Sequence, residues 1–145
     1  MNLFSFALAL QAASAAASTP PPCVATFQAR ARQECPRFVF FDSGKTEIRR
    51  DWQGELDAVA GRLRALPGSR VLLIGRSDAS GPAGANLRVS RQRALVIRDM
   101  LAQRGVPSAR IEVQGTGEAE LLVPTPDGVR EAQNRRVDMV VVLPR

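Results

Sequence analysis

Apolar residues along the chain follow two periods, one typical of strands and the other typical of helices. Four short apolar runs predict β-strands, at residues 37–41, 71–74, 111–113 and 137–143. Two longer segments carry apolar residues every three or four positions and predict amphipathic helices, at residues 52–66 and 86–104. Residues 115–133 have neither period and predict a long loop. The order β-α-β-α-β-β predicts an α+β fold, with one mixed sheet and helices packed on it.

The second strand and the second helix have distinct apolar patterns. Val71–Ile74 is an uninterrupted apolar run, which predicts a central strand that is covered on both faces. The second helix has apolar residues at helical spacing, and we expect them to face the core; they are Leu87, Ala94, Ile97 and Leu101.

The amino-terminal part of the chain differs in composition from the rest. Residues 1–17 have no charged side chain and combine a short apolar block with alanine and serine, which predicts a secretory signal peptide. A buried amino-terminal helix is the alternative. Residues 18–36 then form a proline-rich spacer and leading segment, with a helical turn or short helix before Pro36, and residues 37–145 form the folded domain. Three prolines precede Cys23, unlike a lipoprotein processing site, so we expect no lipid anchor.

The chain has two cysteines, Cys23 and Cys35. In the oxidising compartment to which a signal peptide leads, an even pair at this spacing predicts a disulfide that fastens the leading segment. A redox role is the alternative, but the spacing is not that of a CxxC motif.

The composition excludes most enzyme chemistries. Histidine and tyrosine are absent, which excludes Ser-His-Asp and Cys-His catalysis and helical HExxH zinc sites. The glycine-rich stretch 75–84 lacks the spacing of nucleotide-binding loops, and the carboxylates are scattered singly rather than paired as in glycosidases. We therefore expect a binding protein and not an enzyme, with no metal and no cofactor. The net charge of +6 favours anionic partners.

Polar residues around the second predicted helix form a candidate ligand site. Asp78 follows the central strand, at the edge where open α/β sheets bind ligands. Arg93 lies seven positions after Asn86, nearly two turns, so both lie on one helix face. Asp78 and Arg93 can face each other across a pocket, and a simple structural ion pair between them is the alternative.

Four separated motifs resemble those of the OmpA-like peptidoglycan-binding domains, the family that includes the C-terminal domain of OmpA, Pal and MotB. They are FVFFDSGKTEI, the stretch GRSDASGPAGANLRVSRQRALVIRDML, ARIEVQGTGE and NRRV, in this order over residues 37–143. The motif positions that match are Asp78, Gly81, Asn86, Ser90, Arg93 and Ala94. Four positions differ from the family's usual residues, namely Arg76, Ser77, Ala85 and Val89.

The resemblance implies a periplasmic domain that anchors to the cell wall by binding diaminopimelate in the peptidoglycan stem peptide. By position, Asp78 binds the free ammonium, Arg93 binds the terminal carboxylate and Asn86 shapes the pocket. The resemblance places further pocket positions at Asp42, Ser43, Ser77 and Arg135. It also implies peptidoglycan and envelope proteins as partners, a location in the periplasm near the outer membrane, and no transmembrane segment in the exported chain.

Two other functions compete with wall binding. Nucleic-acid or anionic-surface binding is suggested by the charge and by the arginine pairs 49–50 and 135–136. The chain has few aromatic residues outside the predicted core to stack on bases, and the predicted export argues against a nucleic-acid partner. A protein-interaction module of an envelope complex, with weak or no wall binding, is the second alternative.

Overall fold

The computed structural model describes residues 32–145 and confirms the predicted element order. Short 3-10 turns occupy Arg50–Trp52, Ser108–Arg110 and Ala132–Asn134. The strands and helices are β1 (Arg37–Phe40), α1 (Gln53–Ala65), β2 (Arg70–Gly75), α2 (Ala83–Gln103), β3 (Ile111–Gly115) and β4 (Arg136–Val142). Neither α1 nor α2, the helices within these described residues, is long and apolar enough to cross a membrane.

The four strands form one mixed sheet in the order β1-β4-β2-β3. β2 pairs in parallel with β3, whereas β4 pairs antiparallel with both β1 and β2. In this register Leu73 lies opposite Met139. The predicted central position of β2 is therefore confirmed. Because β2 and β3 run in parallel and α2 connects them, the loops after both strands leave from the same edge of the sheet.

A single apolar core lies between the sheet and both helices. Side chains of α1 and α2 pack there against Val71 and Leu73. The prediction that β2 is covered on both faces is wrong, because Leu72 and Ile74 are only half-buried. Both helices pack on the face that carries Val71 and Leu73. The helix residues of the core include Leu56, Val59, Leu63, Ala94, Ile97 and Leu101.

The first turns of α2 pack against the sheet through their backbone. A Cβ atom at Gly75 would collide with the carbonyl oxygen of Ser90, so only glycine permits this approach. The prediction that Leu87 faces the core is wrong, because its side chain is 50% exposed. In this part of the helix the buried positions are instead Asn86, Ser90 and Arg93. The close approach thus brings polar side chains to the end of β2.

Residues 33 and 34 pair with β4 at the end of the sheet. Gln33 pairs with Val142, and the Glu34 amide donates a 2.9 Å hydrogen bond to the Val141 carbonyl. The predicted helical turn is therefore wrong for this part of the leading segment. Residues 1–17 and Cys23 lie outside the described residues, so the signal peptide and the Cys23–Cys35 disulfide stay predictions.

Candidate functional site

Four segments meet at the carboxyl end of β2 and enclose a cavity of about 170 Å³. They are the turn after β1, the loop after β2, the first turns of α2 and the loop that leads into β4. Ligands bind at this edge in open α/β sheets. All but one of the predicted site residues line the cavity, namely Ser43, Ser77, Asp78, Asn86, Arg93 and Arg135.

Arg93 lies at the base of the cavity and is 1% exposed. Its guanidinium donates hydrogen bonds to three backbone carbonyls, those of Lys45 at 3.0 Å, Arg76 at 3.3 Å and Asp42 at 3.3 Å. It also lies over the ring of Phe41, 5.3 Å from the centroid. These contacts join the turn after β1 to the end of β2, and they use three of the five N–H groups of the guanidinium.

The charge of Arg93 has no carboxylate within ion-pair distance among the described residues. Burial, with a smaller contribution from the nearby Arg135 cation, lowers the pKa of Arg93 to about 10, although the Asp78 carboxylate opposes the shift. Arg93 therefore remains a cation at neutral pH. A buried cation without an anionic partner is costly, and a carboxylate in the cavity would remove that cost.

Asp78 lies on the opposite wall of the cavity and is held by four hydrogen bonds. Ser80 donates from its hydroxyl at 2.6 Å and from its amide at 3.3 Å, and the Glu131 amide donates at 3.3 Å. Arg135 completes the set with an ion pair at 3.0 Å. Burial raises the pKa of Asp78, but these hydrogen bonds outweigh it and hold the pKa below its ordinary value of 3.8. Asp78 is therefore ionised at neutral pH.

Asp78 and Arg93 line one cavity without forming an ion pair. The alternative that they form a structural ion pair is therefore wrong, because Asp78 pairs with Arg135 instead. Arg135 also donates from Nε to the Phe41 carbonyl at 3.1 Å. Its guanidinium is thus fixed between the end of β1 and the loop after β2, and the cavity presents separate positions for an anion and a cation.

Ser77 and Asn86 complete the polar lining. The Ser77 hydroxyl is buried, and no described residue hydrogen-bonds with it. A buried hydroxyl in a cavity wall without a partner is an unused donor and acceptor for a ligand. Asn86 donates to the Gly81 carbonyl at 3.0 Å and to the Glu118 carboxylate at 2.8 Å. Asn86 therefore holds the surrounding loops in place, which agrees with a shaping role.

Asp42 differs from the other predicted site residues. Its backbone carbonyl accepts from Arg93, but its side chain lines a neighbouring groove and not this cavity. The side chain is 50% exposed and lies 3.9 Å from the Arg49 guanidinium. The turn after β1 therefore directs the Asp42 carbonyl toward Arg93 and its carboxylate toward the neighbouring groove, and its role at the rim of the ligand pocket stays a prediction.

Arg76 points away from the cavity. Its Nε lies 3.1 Å from the Asp138 carboxylate, and its Nη1 lies 2.8 Å from the Glu120 carboxylate. Only its backbone carbonyl reaches the site, as an acceptor for Arg93. The unusual residue at this position therefore leaves the lining of the cavity unchanged.

The arrangement of motifs and the fold are those of a known family. Residues 40–135 match the OmpA family. The chain belongs to the OmpA family. This membership confirms the resemblance seen in the sequence, and it supports the prediction that the chain is not an enzyme.

Several curated members of the OmpA family are similar to this chain. The peptidoglycan-binding protein ArfA of Mycobacterium tuberculosis (strain ATCC 25618 / H37Rv) is 37% identical over 71% of the chain, and the probable lipoprotein YiaD of Escherichia coli (strain K12) is 34% identical over 73%. The peptidoglycan-associated lipoprotein of Rhizobium meliloti (strain 1021) is 34% identical over 71%. The matched regions span only 31%, 48% and 58% of these three relatives, respectively.

Solved structures of the OmpA family share the fold. The peptidoglycan-associated lipoprotein from Burkholderia pseudomallei has a TM-score of 0.68 at 30% identity, covering 72% of this chain and 89% of its own. The OmpA-like domain of FopA1 from Francisella tularensis subsp. tularensis SCHU S4 has a TM-score of 0.65 at 20% identity, covering 74% and 71%. The α+β fold is therefore that of the OmpA family.

Two polar residues that line the cavity were missed by the sequence analysis. Ser80 supports Asp78 through its hydroxyl, and Asp-x-Ser spacing is typical of such local hydrogen bonds. Arg130 reaches the cavity from the loop before β4. This loop is fastened by the Gly128 amide, which donates to the Ala79 carbonyl at 2.6 Å. No periodic pattern marks Arg130. Its place at the cavity depends on this long-range contact of the loop, which a local sequence pattern does not reveal.

Proposed function

We propose that the chain binds peptidoglycan non-covalently and anchors to the cell wall in the periplasm, near the outer membrane. Membership of the OmpA family supports the proposal, and so do relatives named as peptidoglycan-binding or peptidoglycan-associated proteins. In this proposal residues 1–17 direct export, a Cys23–Cys35 disulfide fastens the leading segment, and residues 37–145 bind the wall.

The ligand group in this proposal is the free end of diaminopimelate, which carries an ammonium and a carboxylate on one carbon. The buried charge of Arg93 carries the proposal, because it lacks a carboxylate partner in the described chain and lines a cavity. Two of its N–H groups, one on each terminal nitrogen, are free to bind a ligand carboxylate. The three backbone carbonyls hold the guanidinium in place, so little conformational entropy is lost on binding.

The ligand ammonium binds Asp78 in this proposal. The four hydrogen bonds already made to Asp78 use its four acceptor positions. The ammonium therefore replaces one of them. We expect it to replace the Arg135 guanidinium, because one cation then takes the place of another beside the Asp78 carboxylate. The Ser77 hydroxyl adds a hydrogen bond to the ligand. Each charge-assisted contact contributes about 1.5–3 kcal/mol, and repeated sites on the polymer strengthen retention.

The proposal is tested by comparing walls that contain diaminopimelate with walls that contain lysine. Lysine has the distal amine but no carboxylate beside it, so it leaves the Arg93 charge buried and unpaired. We expect diaminopimelate walls to bind more tightly by about 2–4 kcal/mol per site. Co-sedimentation at matched ionic strength measures this difference.

Two controls separate specific binding from general attraction to an anionic polymer. Amidation of the free carboxylate of diaminopimelate keeps its shape and removes its charge, so we expect an intermediate loss of affinity. Arg70→Gln changes the net charge at an exposed position far from the cavity, and we expect unchanged binding. Equal binding of the wild-type protein to both wall types would contradict the proposal and indicate attraction by net charge alone.

A further inference from the structure

A second concave surface, a groove of about 340 Å³, lies beside the cavity. Its apolar part is formed by Phe40, Phe41 and Ala132, and its polar rim by Arg49 and Gln133. Phe41 is buried, whereas Ala132 and Gln133 are exposed. The groove therefore offers a small apolar surface with polar groups at its edge, which is typical of sites for short peptides.

Arg135 separates the groove from the cavity, because its side chain lines both. Nε donates to the Phe41 carbonyl at the end of β1, and Nη1 contacts Asp78 in the cavity at 3.0 Å. The Arg135 guanidinium thus lies between the two concave surfaces. A ligand group bound to Asp78 therefore lies next to a side chain that also lines the groove.

In the proposed complex, ligand binding changes which group neutralises the charge of Arg135. In the free protein Asp78 neutralises it. A ligand ammonium at Asp78 takes that carboxylate and leaves the Arg135 guanidinium, 14% exposed, without its partner. The other groove cation, Arg49, already faces Asp42 at 3.9 Å and Asp51 at 3.5 Å. A second carboxylate, placed in the groove, would restore neutrality at Arg135.

We propose that the groove binds the carboxyl-terminal alanine that follows diaminopimelate in an uncross-linked stem peptide, and that Arg135 binds its carboxylate. This inference rests on the proposed function. Alanine is covalently attached to diaminopimelate, its methyl group fits the apolar surface of Phe40 and Ala132, and it ends in a free carboxylate. The glutamate on the other side of diaminopimelate has its side chain in an amide link, so it offers no comparable small apolar group.

Binding of three soluble ligands tests this inference on the wild-type protein. They are free diaminopimelate, the tripeptide that ends in diaminopimelate, and the tetrapeptide that ends in alanine. Isothermal titration calorimetry should give about tenfold tighter binding of the tetrapeptide than of the tripeptide, because the terminal carboxylate of the tripeptide belongs to diaminopimelate itself and only that of the alanine lies in the groove in this proposal. A tetrapeptide with a carboxamide end should lose this gain.

The variant Arg135→Gln should bind the tripeptide and the tetrapeptide with the same affinity, whether or not the affinity for the tripeptide itself changes. Arg70→Gln is the matched control, since it removes the same charge at the other end of β2 and should keep the tetrapeptide gain. The carboxamide ligand needs no variant, so the inference stays testable if Arg135→Gln does not fold.

The outcomes distinguish this inference from the proposed function. If the tripeptide binds and the tetrapeptide is no tighter, the groove assignment is wrong and the diaminopimelate site stands. If none of the three ligands binds, the proposed function fails and the groove assignment fails with it. A gain that persists in the carboxamide would also overturn the role of Arg135, because it would arise from apolar contact alone.

Discussion

Two buried arginines on opposite sides of the sheet differ in how their charges are neutralised. Arg136 is 4% exposed, and its Nε lies 2.7 Å from the carboxylate of Asp138, which also pairs with Arg76. Arg93, packed on the other side, has backbone carbonyls as its hydrogen-bond acceptors and no carboxylate within ion-pair distance in the described part of the chain. Burial lowers the pKa of both guanidinium groups. At Arg136 the carboxylate of Asp138, which is in direct contact with the guanidinium, opposes this lowering.

In the proposed function this difference separates a structural charge from a charge that binds a ligand. The charge of Arg136 has its anion within the fold, 2.7 Å away on Asp138. Carbonyls fix the position of Arg93 but carry only partial charge, so they orient the guanidinium without neutralising it. The same residue type at similar burial is therefore neutralised within the fold at Arg136 and, in the proposed function, by the ligand at Arg93.

The largest expected effect is on stability and concerns the structural pair. Asp138→Asn removes the anion shared by Arg136 and Arg76, and we expect a loss of about 3–5 kcal/mol in the free energy of unfolding. Peptidoglycan binding of the folded protein should be unchanged, because these side chains do not line the cavity. Chemical denaturation together with co-sedimentation measures both quantities. A stability loss below about 1 kcal/mol would mean that Glu120 or solvent already neutralises the cluster.

The next effect is on binding and concerns the receptor. Arg93→Ala should weaken diaminopimelate binding by about 100-fold, since a charge-assisted contact contributes up to about 3 kcal/mol. It should also erase the preference for diaminopimelate over lysine walls. Because three carbonyls lose a donor, thermal melts must establish that the variant is folded. If the folded variant binds both walls as the wild type does, Arg93 is a structural charge like Arg136.

A smaller loss is expected at the opposite wall of the cavity. Asp78→Asn keeps the shape of the side chain but removes its charge, and we expect about tenfold weaker binding of diaminopimelate. A ligand that lacks the distal amine should bind the variant and the wild type equally, which titration calorimetry measures. A large loss for that ligand too would show that Asp78 supports the loop rather than the ammonium.

The smallest expected effect is a change in proton affinity. Arg93 has a pKa of about 10, below that of an arginine in the unfolded chain. Its burial cost is therefore relieved as pH rises through 10, because the folded state loses this proton before the unfolded state does, and its contribution to stability increases. A bound carboxylate favours the cation and should raise the pKa of Arg93 by about one unit. Guanidinium NMR shifts, measured with and without diaminopimelate, follow this change. Arg136 is the internal control, and a shift of both arginines would indicate a general salt effect.

Local patterns predicted the six elements because each strand and helix carries its own apolar period. The motif around Asp78 and Arg93 likewise located the cavity, since both residues follow β2 closely in sequence. The pairing of Asp78 with Arg135 was not predicted, because it joins positions 57 residues apart through a loop without a period. Leu87 was misplaced for a related reason. Its orientation depends on the backbone contact at Gly75, which does not alter residue spacing.

The edge pairing of residues 32–34 with β4 has a mechanical consequence. The Leu143 amide donates to the Arg32 carbonyl at 2.7 Å, so both ends of the described chain lie together, at the end of the sheet opposite the cavity. If the cavity binds the wall as proposed, a force applied between the wall and this end of the sheet runs along the strands. The inter-strand hydrogen bonds of β1, β4 and β2 are then loaded in shear and share the force, instead of opening one after another.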